Sequence, residues 1–342
     1  MDAVMDRRTF VREHPDLFML DVADVAGLSR YLAGRRLFAA GESIVEVSKA
    51  GEGNMNCTLR VVTARQRLIV KQARPWVERY EHIDAPWDRS LVEAAYHRAV
   101  AACRELADQM PRLIDTDAEA RVLVLEDVGQ QGDFTSMYAG ATLAASDCAA
   151  LVGYLRRLHG FAVPPHQQLV FANREMRALN HEHIFEFPLR ETNGLALDVV
   201  TPGLQALADA LKGDRSYVRL VHALGQRYLA DGESLVHGDY FPGSWLHTAR
   251  GVAVIDPEFC FLGDGEFDVG VMTGHLMLGG QPQSCIDGLL EGAVGYDRRL
   301  VNQFAGVEIM RRLIGVAQLP LRRSLDQKRA LLERSRMLVM NT

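Results

Sequence analysis

The stretch LVHGDYFPGSWLHTARGVAVIDPEFCFLGDGEFDVG, residues 235–270, decides how the rest of the chain is read. A short apolar run, Leu235-Val236, leads into His237-Gly238-Asp239. A second apolar run, Val252 to Ile255, leads into Asp256-Pro257-Glu258, and Phe267-Asp268-Val269-Gly270 follows. Each run has the length and branching of a strand, so two short strands end at acid-bearing loops. Asp239 then stands where a carboxylate can orient and deprotonate a hydroxyl. Ser244, Asp256 and Glu258 supply hard oxygen atoms of the kind Mg²⁺ takes. On an extended segment residues two apart share a face, which predicts that Asp256 and Glu258 meet the same metal site. The triplet alone reads equally well as acids capping turns. The ordered set is more specific, because a base and metal-holding oxygens on adjacent loops are what phosphoryl transfer requires of a protein.

Upstream, residues 13–40 carry helical patterns broken near Gly34, with Ala26 to Ala33 in one of them. Segments 42–48, 57–63 and 67–72 read as an antiparallel meander whose first turn, residues 51–56, is GEGNMN. Gly51, Gly53, Asn54 and Asn56 could let the backbone approach phosphates closely, although a plain hairpin turn has the same composition. Lys71 lies within LIVKQ on the third strand, where a buried ammonium needs an anionic partner. A helix is predicted from Ser90 to Leu106, with Ser90 as N-cap and Glu93 as the capping-box acid. Glu93 is also a candidate partner for Lys71, with Glu119 and Glu126 as competitors. Residues 121–126 form a further strand, ending at Glu126-Asp127-Val128, whose backbone groups are candidates to read an adenine edge. Beyond Gly129 helical patterns dominate, at 141–160, 173–182, 201–229 and 300–317. The predicted organisation is an N-terminal part, residues 1–128, with helices, an antiparallel sheet, the glycine-rich turn and the lysine strand. A mainly helical C-terminal part, residues 129–342, carries the catalytic and metal loops. In EIMRRLIG, residues 308–315, Arg311 and Arg312 lie about 100° apart on a helix, so at least one should face a cleft or interface. A solvated, salt-bridged face is the other reading. His159 reads as a helix-end packing residue, and His181 and His183 as surface residues.

Composition narrows the function classes. The chain has 342 residues, long enough for two units, and is 48% hydrophobic and 24% charged. A formal net charge of -6 argues against a nucleic-acid partner. It leaves room for an anionic nucleotide held by local cations and Mg²⁺. The five dispersed cysteines include no C-x-x-C pair, which argues against a disulfide framework or structural zinc. No apolar run approaches the length of a membrane helix, and the N-terminus has no signal-peptide core, so a cytoplasmic protein is expected.

These motifs together resemble the aminoglycoside phosphotransferase/choline kinase-like superfamily, and within it the 5-methylthioribose kinases. The residues that carry the resemblance are HGDYFPGS (237–244), IDPEF (255–259), FDVG (267–270), Gly53-Asn54-Met55-Asn56, the VKQA segment with a following Pro-Trp, and the Glu308 to Gly315 helix. The matches scatter over about 45–315. The resemblance implies an α+β, protein-kinase-like two-lobe fold, with a small antiparallel-sheet lobe and a larger helical lobe. It implies ATP and Mg²⁺ as cofactors, with Asp239 as base, Asp256, Glu258 and Ser244 toward metal, and Lys71 with Glu93 toward phosphates. Arg311 and Arg312 are implied to serve the substrate, and a homodimer is implied. The expected reaction is phosphorylation of the 1-hydroxyl of 5-methylthioribose in methionine salvage.

Two features depart from the family pattern. Tyr240-Phe241-Pro242 replaces Leu-His-Thr beside the base, placing Tyr240 on the substrate side and opening the reading to a related 5-deoxypentose. The tract around Trp87, APWDRS, resembles the family's tryptophan loop loosely, so Trp87 is either a substrate-side residue or a core anchor. Another superfamily phosphotransferase, acting on an aminoglycoside, choline or homoserine, is the alternative. A non-catalytic nucleotide-binding module should have lost the base, a metal ligand or the lysine, and this chain keeps all three.

Overall fold

Alternating apolar residues build the sheet of the first of two compact units, residues 1–128 and 129–342. The computed structural model describes residues 7–341 apart from 52, 54 and 130. Asn54, one of the expected nucleotide-side residues, therefore lies outside the described residues.

The first unit opens with α1 (Arg7–Glu13) and α2 (Val25–Gly34). The meander follows as β1 (Ile44–Lys49), β2 (Cys57–Thr63) and β3 (Arg67–Gln72). A small hairpin, β4 (Trp76–Val77) and β5 (Tyr80–Asp84), precedes α3 (Arg89–Val100) and α4 (Arg104–Ala107). The strands β6 (Leu113–Asp117) and β7 (Val122–Glu126) complete an antiparallel sheet of order β1-β2-β3-β7-β6. Leu59, Val61, Leu68, Val70, Val122 and Val124 alternate onto one face, against Leu28 and Leu32 of α2. Burial of each such side chain stabilises by roughly 1.5–3 kcal/mol. The same alternation turns Lys71, one residue on from Val70, to the opposite face.

One expectation for this unit is corrected. The helix begins at Arg89, with Asp88 in the capping position and no side-chain cap bond, and it ends at Val100 rather than continuing to Leu106. Ser90 is buried within the first turn and does not cap it. Glu93 is drawn away from any capping role by the greater demand of a buried lysine charge.

The second unit starts with α5 (Ala145–His159), α6 (Arg174–His181) and α7 (Leu197–Val200). The single pattern expected over 201–229 is two helices, α8 (Leu204–Lys212) and α9 (Arg215–Leu229). They are split because the Asp214 carboxylate caps α9, accepting from the Ser216 and Tyr217 N–H groups. Two two-stranded antiparallel sheets carry the acid-bearing loops. One pairs β8 (Ser234–Val236) with β11 (Phe261–Gly263), and the other pairs β9 (Trp245–Thr248) with β10 (Gly251–Val254). The chain ends with α10 (Glu266–Leu278), α11 (Gln283–Gly292), α12 (Arg298–Ile314) and α13 (Leu325–Met340). Alpha-helices α10 and α12 lie unusually close. A Cβ at Gly270 would stand 2.5 Å from Phe304 Cβ, and one at Gly274 would stand 3.0 Å from Glu308 Cβ. The glycine of F-D-V-G is therefore a helix-packing residue, and α10 accounts for a motif whose element was not evident in the sequence. Among the described residues no helix is long and apolar enough to cross a membrane.

Candidate active site

Strand β8 delivers His237-Gly238-Asp239 into a loop that is fastened from below. Asp268, fully buried in the first turn of α10, accepts from the His237 N–H at 2.6 Å and the Gly238 N–H at 3.0 Å. It also meets His159 Nε2 at 3.0 Å, and His159 Nδ1 lies 2.6 Å from the Tyr296 hydroxyl. So His159 does more than pack a helix end. Gly238 has φ +85°, and a Cβ there would stand 2.1 Å from the Phe259 carbonyl oxygen, which leaves glycine as the residue that fits. Burial pushes the His237 imidazole down, opposed by Asp268 and by the Asp239 and Asp256 carboxylates that flank it. Its Nε2 lies 2.9 Å from the Ile255 carbonyl, linking the Asp239 loop to the Asp256 loop.

Asp239 is about a quarter exposed, at 24% of its side chain. Arg311 Nη2 and Arg312 Nη2 each donate to Asp239 Oδ1 at 3.3 Å. Both arginines are buried, so the solvated-face reading is set aside, and neighbours about 100° apart converge because their stems are long. The residue that aims them is Glu308, which sequence reading took only as part of a family motif. Its Oε2 accepts from Arg311 Nε at 2.5 Å and its Oε1 from Arg312 Nε at 2.7 Å. Burial alone would raise the Glu308 carboxyl, but the two guanidiniums and His275 outweigh it and hold it well below the usual carboxylate range. Arg312 also lies 4.9 Å from the Phe241 ring centroid, so the catalytic loop packs on the cation.

Four expected residues have altered parts. Tyr240 is fully buried, stacked on Tyr154, with its hydroxyl donating to the Leu151 carbonyl at 3.0 Å. Its position beside Asp239 in sequence does not leave its ring within reach of a ligand, because the ring is buried among Tyr154, His237 and Trp245. Ser244 is buried, and its Oγ donates to the Asp239 carbonyl at 3.1 Å, so it braces the loop. Asp256 and Glu258 do not lie on an extended segment. Asp256 has φ +61° and heads the short turn Pro257–Phe259, which contains the buried Glu258. A left-handed aspartate is an uncommon, costly backbone state that functional loops retain.

The donor chemistry still fits a hard divalent cation, with Asp256 half-buried at the loop head and Glu258 behind it. Among the described residues no group of three or more His, Cys, Asp or Glu forms a metal cage. A cation here would draw its remaining ligands from phosphates and water, as Mg²⁺ does.

In the first unit Lys71 Nζ sits 3.0 Å from Glu93 Oε1 and 2.8 Å from Oε2, with both residues buried. Asn56 is buried and accepts from Arg89 Nε at 3.0 Å. Arg89 also donates to the carbonyls of Met55, Arg74 and Pro86, at 2.8, 2.6 and 2.8 Å. It ties the glycine-rich turn to the helix that carries Glu93. Sequence reading missed it, since no local pattern marks an arginine whose partners are carbonyls. Gly51 has φ +76° and is exposed, as is Gly53. The Glu126 N–H is spent on the Arg112 carbonyl at 2.9 Å, and the Asp127 N–H faces the Arg67 carbonyl at 3.4 Å. The Asp127 carboxylate is buried between Arg60 and Arg67. Any reading of an adenine edge thus falls to the remaining backbone groups of 126–128. Trp87 donates its indole N–H to the Ala73 carbonyl at 3.1 Å and packs edge-on against Phe10, with Arg121 over its ring. These contacts make it an anchor of this unit.

Comparison with known proteins places the chain in a family. The phosphotransferase enzyme family pattern matches residues 46–300. A methylthioribose kinase of Exiguobacterium sibiricum is 28% identical over 260 residues, covering 72% of this chain and 65% of that protein. A methylthioribose kinase of Pectobacterium carotovorum is 30% identical over 278 residues, covering 76% and 66%. The chain thus spans about two thirds of the length of the curated relatives it matches. Among solved structures, a choline kinase from Streptococcus pneumoniae aligns with TM-score 0.54 at 13% identity, covering 92% of this chain and 98% of that one. A Plasmodium vivax ethanolamine kinase aligns with TM-score 0.56 at 10% identity, covering 98% and 96%. These likenesses show the fold as protein-kinase-like, with a five-stranded antiparallel sheet in one lobe and helices in the other. By its sequence pattern and the loops that pattern builds, the chain belongs to the phosphotransferase enzyme family that includes the aminoglycoside phosphotransferases.

Proposed function

We propose that this protein is an ATP-dependent kinase that phosphorylates a sugar hydroxyl, the 1-hydroxyl of 5-methylthioribose or of a related 5-deoxypentose. The observation that carries the reading is Asp239, held at the tip of a fastened loop with the bonds from Arg311 and Arg312 both on Oδ1. Its other oxygen is the one that accepts the acceptor's proton as the hydroxyl attacks the terminal phosphoryl group. Lys71, fixed by Glu93, neutralises the phosphates, and the backbone of the glycine-rich turn follows them. Asp256 and Glu258 would hold Mg²⁺, whose role when bound is to neutralise the phosphate oxygens during transfer. The similarity to methylthioribose kinases supports the substrate class, which belongs to methionine or 5-deoxyribose salvage. A cytoplasmic homodimer is part of the same proposal.

Arg311 and Arg312 take up the charge of both Glu308 and Asp239, so no unspent negative charge stands beside the base to attract a cationic acceptor such as choline or an aminoglycoside. A neutral sugar needs none. The test is ADP release, coupled to an absorbance readout, across a panel of 5-modified riboses, choline, homoserine and an aminoglycoside. Turnover of a 5-modified ribose is expected. Turnover confined to an amino alcohol or aminoglycoside would overturn the sugar assignment.

A further inference from the structure

We propose that Tyr138, His275 and Glu308 form a buried positioning relay that holds the Arg311 and Arg312 guanidiniums back from Asp239, so that the carboxylate stays free to accept a proton. The inference rests on the reading of Asp239 as the base and gives Tyr138, His275 and Glu308 a role that the family resemblance does not.

The relay is continuous in space and scattered in sequence. The Tyr138 hydroxyl, in the turn Phe134–Ala139, lies 2.6 Å from His275 Nδ1. His275 Nε2 lies 2.8 Å from Glu308 Oε1. Glu308 is ionised and cannot donate, so the imidazole must present an N–H at Nε2. Nδ1 is then the acceptor and Tyr138 the donor. The opposite tautomer would aim a nitrogen lone pair at a carboxylate. Burial depresses His275 to about 4, so it stays neutral at ordinary pH. The two buried guanidiniums are then balanced by the buried carboxylate of Glu308 and the part-exposed one of Asp239.

Geometry supplies the reason for such a device. A guanidinium and a carboxylate left to themselves form a bidentate fork at about 2.7–2.9 Å. Here each arginine has committed its Nε to Glu308, and only one Nη of each reaches Asp239, at 3.3 Å. A guanidinium turned toward Glu308 cannot also present its fork to Asp239. Glu308 competes with the base for both cations. Tyr138 and His275 keep Glu308 in the competing position, and the close approach at Gly274 brings α12 near enough for it. Phe241, between Arg312 and His275 at ring distances of 4.9 and 5.6 Å, joins the relay to the catalytic loop. None of the three relay residues bonds to Asp239, so their action is on its arginines.

The test compares the full-length parent with Glu308→Gln and Tyr138→Phe. Glu308→Gln should lower kcat about 10- to 100-fold with the KM for ATP within twofold. Tyr138→Phe keeps the ring and should lower kcat about 3- to 10-fold, guarding against a Glu308 variant that fails to fold. In an Arg311→Gln/Arg312→Gln background Glu308→Gln should cost less than twofold more, since the groups it positions are gone; an independent structural role would give additive losses. Arginine Nε NMR on the parent should show two low-field, exchange-protected signals for Arg311 and Arg312, which move upfield and exchange faster in both variants. Additive losses, or kcat within twofold of the parent in both single variants, would overturn the relay. If the parent turns over no alcohol in the panel, the kinase reading falls, and the NMR comparison still decides the relay: unmoved signals in the variants overturn it.

Discussion

Replacing Asp268 by Asn tests how the base loop is held. The change keeps shape and removes one charge from a fully buried side chain. The carboxylate accepts from three donors: Oδ1 takes the Gly238 N–H, and Oδ2 takes the His237 N–H and His159 Nε2. An amide has one acceptor oxygen and one NH₂ group. With its oxygen at the Oδ2 position it keeps two donors and confronts the Gly238 N–H with another donor; turned round it orphans two. The first choice is the cheaper. It leaves one buried N–H unpaired, at about 1–3 kcal/mol, and reduces two charge-assisted bonds to neutral ones, at about 1 kcal/mol each. The expected loss is therefore about 3–5 kcal/mol, a large share of a marginal total. In urea, with a slope of about 2–3 kcal/mol/M, the transition that monitors the second unit should move down by about 1–2 M. The orphaned group is the neighbour of Asp239, and a displacement of about 1 Å at a reacting group can cost about 10²-fold in rate. Denaturation by tryptophan fluorescence and turnover of the accepted substrate are measured together. Asp264→Asn serves as control, because its pairing with Arg227 is on the surface and is worth at most about 1 kcal/mol. A midpoint shift below about 0.3 M, with turnover within twofold of the parent, would refute the fastening role.

Asp239→Asn should lower kcat by about 10²–10⁴-fold while ATP still binds, as measured by calorimetry; unchanged turnover would remove Asp239 from the base role. Lys71→Met removes one partner of a buried ion pair and should cost about 3–5 kcal/mol of stability. The double variant Lys71→Met/Glu93→Leu should recover most of that stability without recovering turnover, and recovery of both would show the pair to be purely structural. His275→Gln should flatten the acid side of the stability profile. His275 is neutral when folded, with its value moved from 6.5 to about 4, so the unfolded chain binds the extra proton between those values. Its contribution is fully present above pH 6.5 and is lost as pH falls toward 4, by about 3 kcal/mol at 1.36 kcal/mol per unit. Denaturant midpoints of parent and variant that keep a constant difference from pH 7 to 4 would count against a buried neutral imidazole.

The order of the chemistry was readable without coordinates. Period-2 alternation placed the meander and, with it, Lys71 on β3, and the same strand logic put His237-Gly238-Asp239 after β8. Local patterns of this kind depend on a few neighbouring residues, and the chain carries them openly. What stayed hidden depends on residues distant in sequence. The capping box read at Ser90 and Glu93 was a local signal overridden by a buried charge 22 residues away. The shared face expected for Asp256 and Glu258 assumed an extended backbone, and a left-handed aspartate broke it. Tyr240 looked like a substrate residue by adjacency to Asp239 and is core, because its ring and hydroxyl find their partners at Tyr154 and Leu151, far away in the chain.

The sequence by itself determined the family and singled out Asp239, Lys71 and the Asp256–Glu258 loop as candidates, because those rest on residue types in fixed local order. Only the tertiary structure decided what each is doing at its place. Asp268 is the fastener of the base loop, Arg89 the tie to the glycine-rich turn, and Glu308 the acid that shares out two arginines. The physical reason is that buried polar groups must find partners wherever the fold supplies them. A partner 72 residues from Asp239 in the chain is a neighbour only after α10 and α12 have closed on each other.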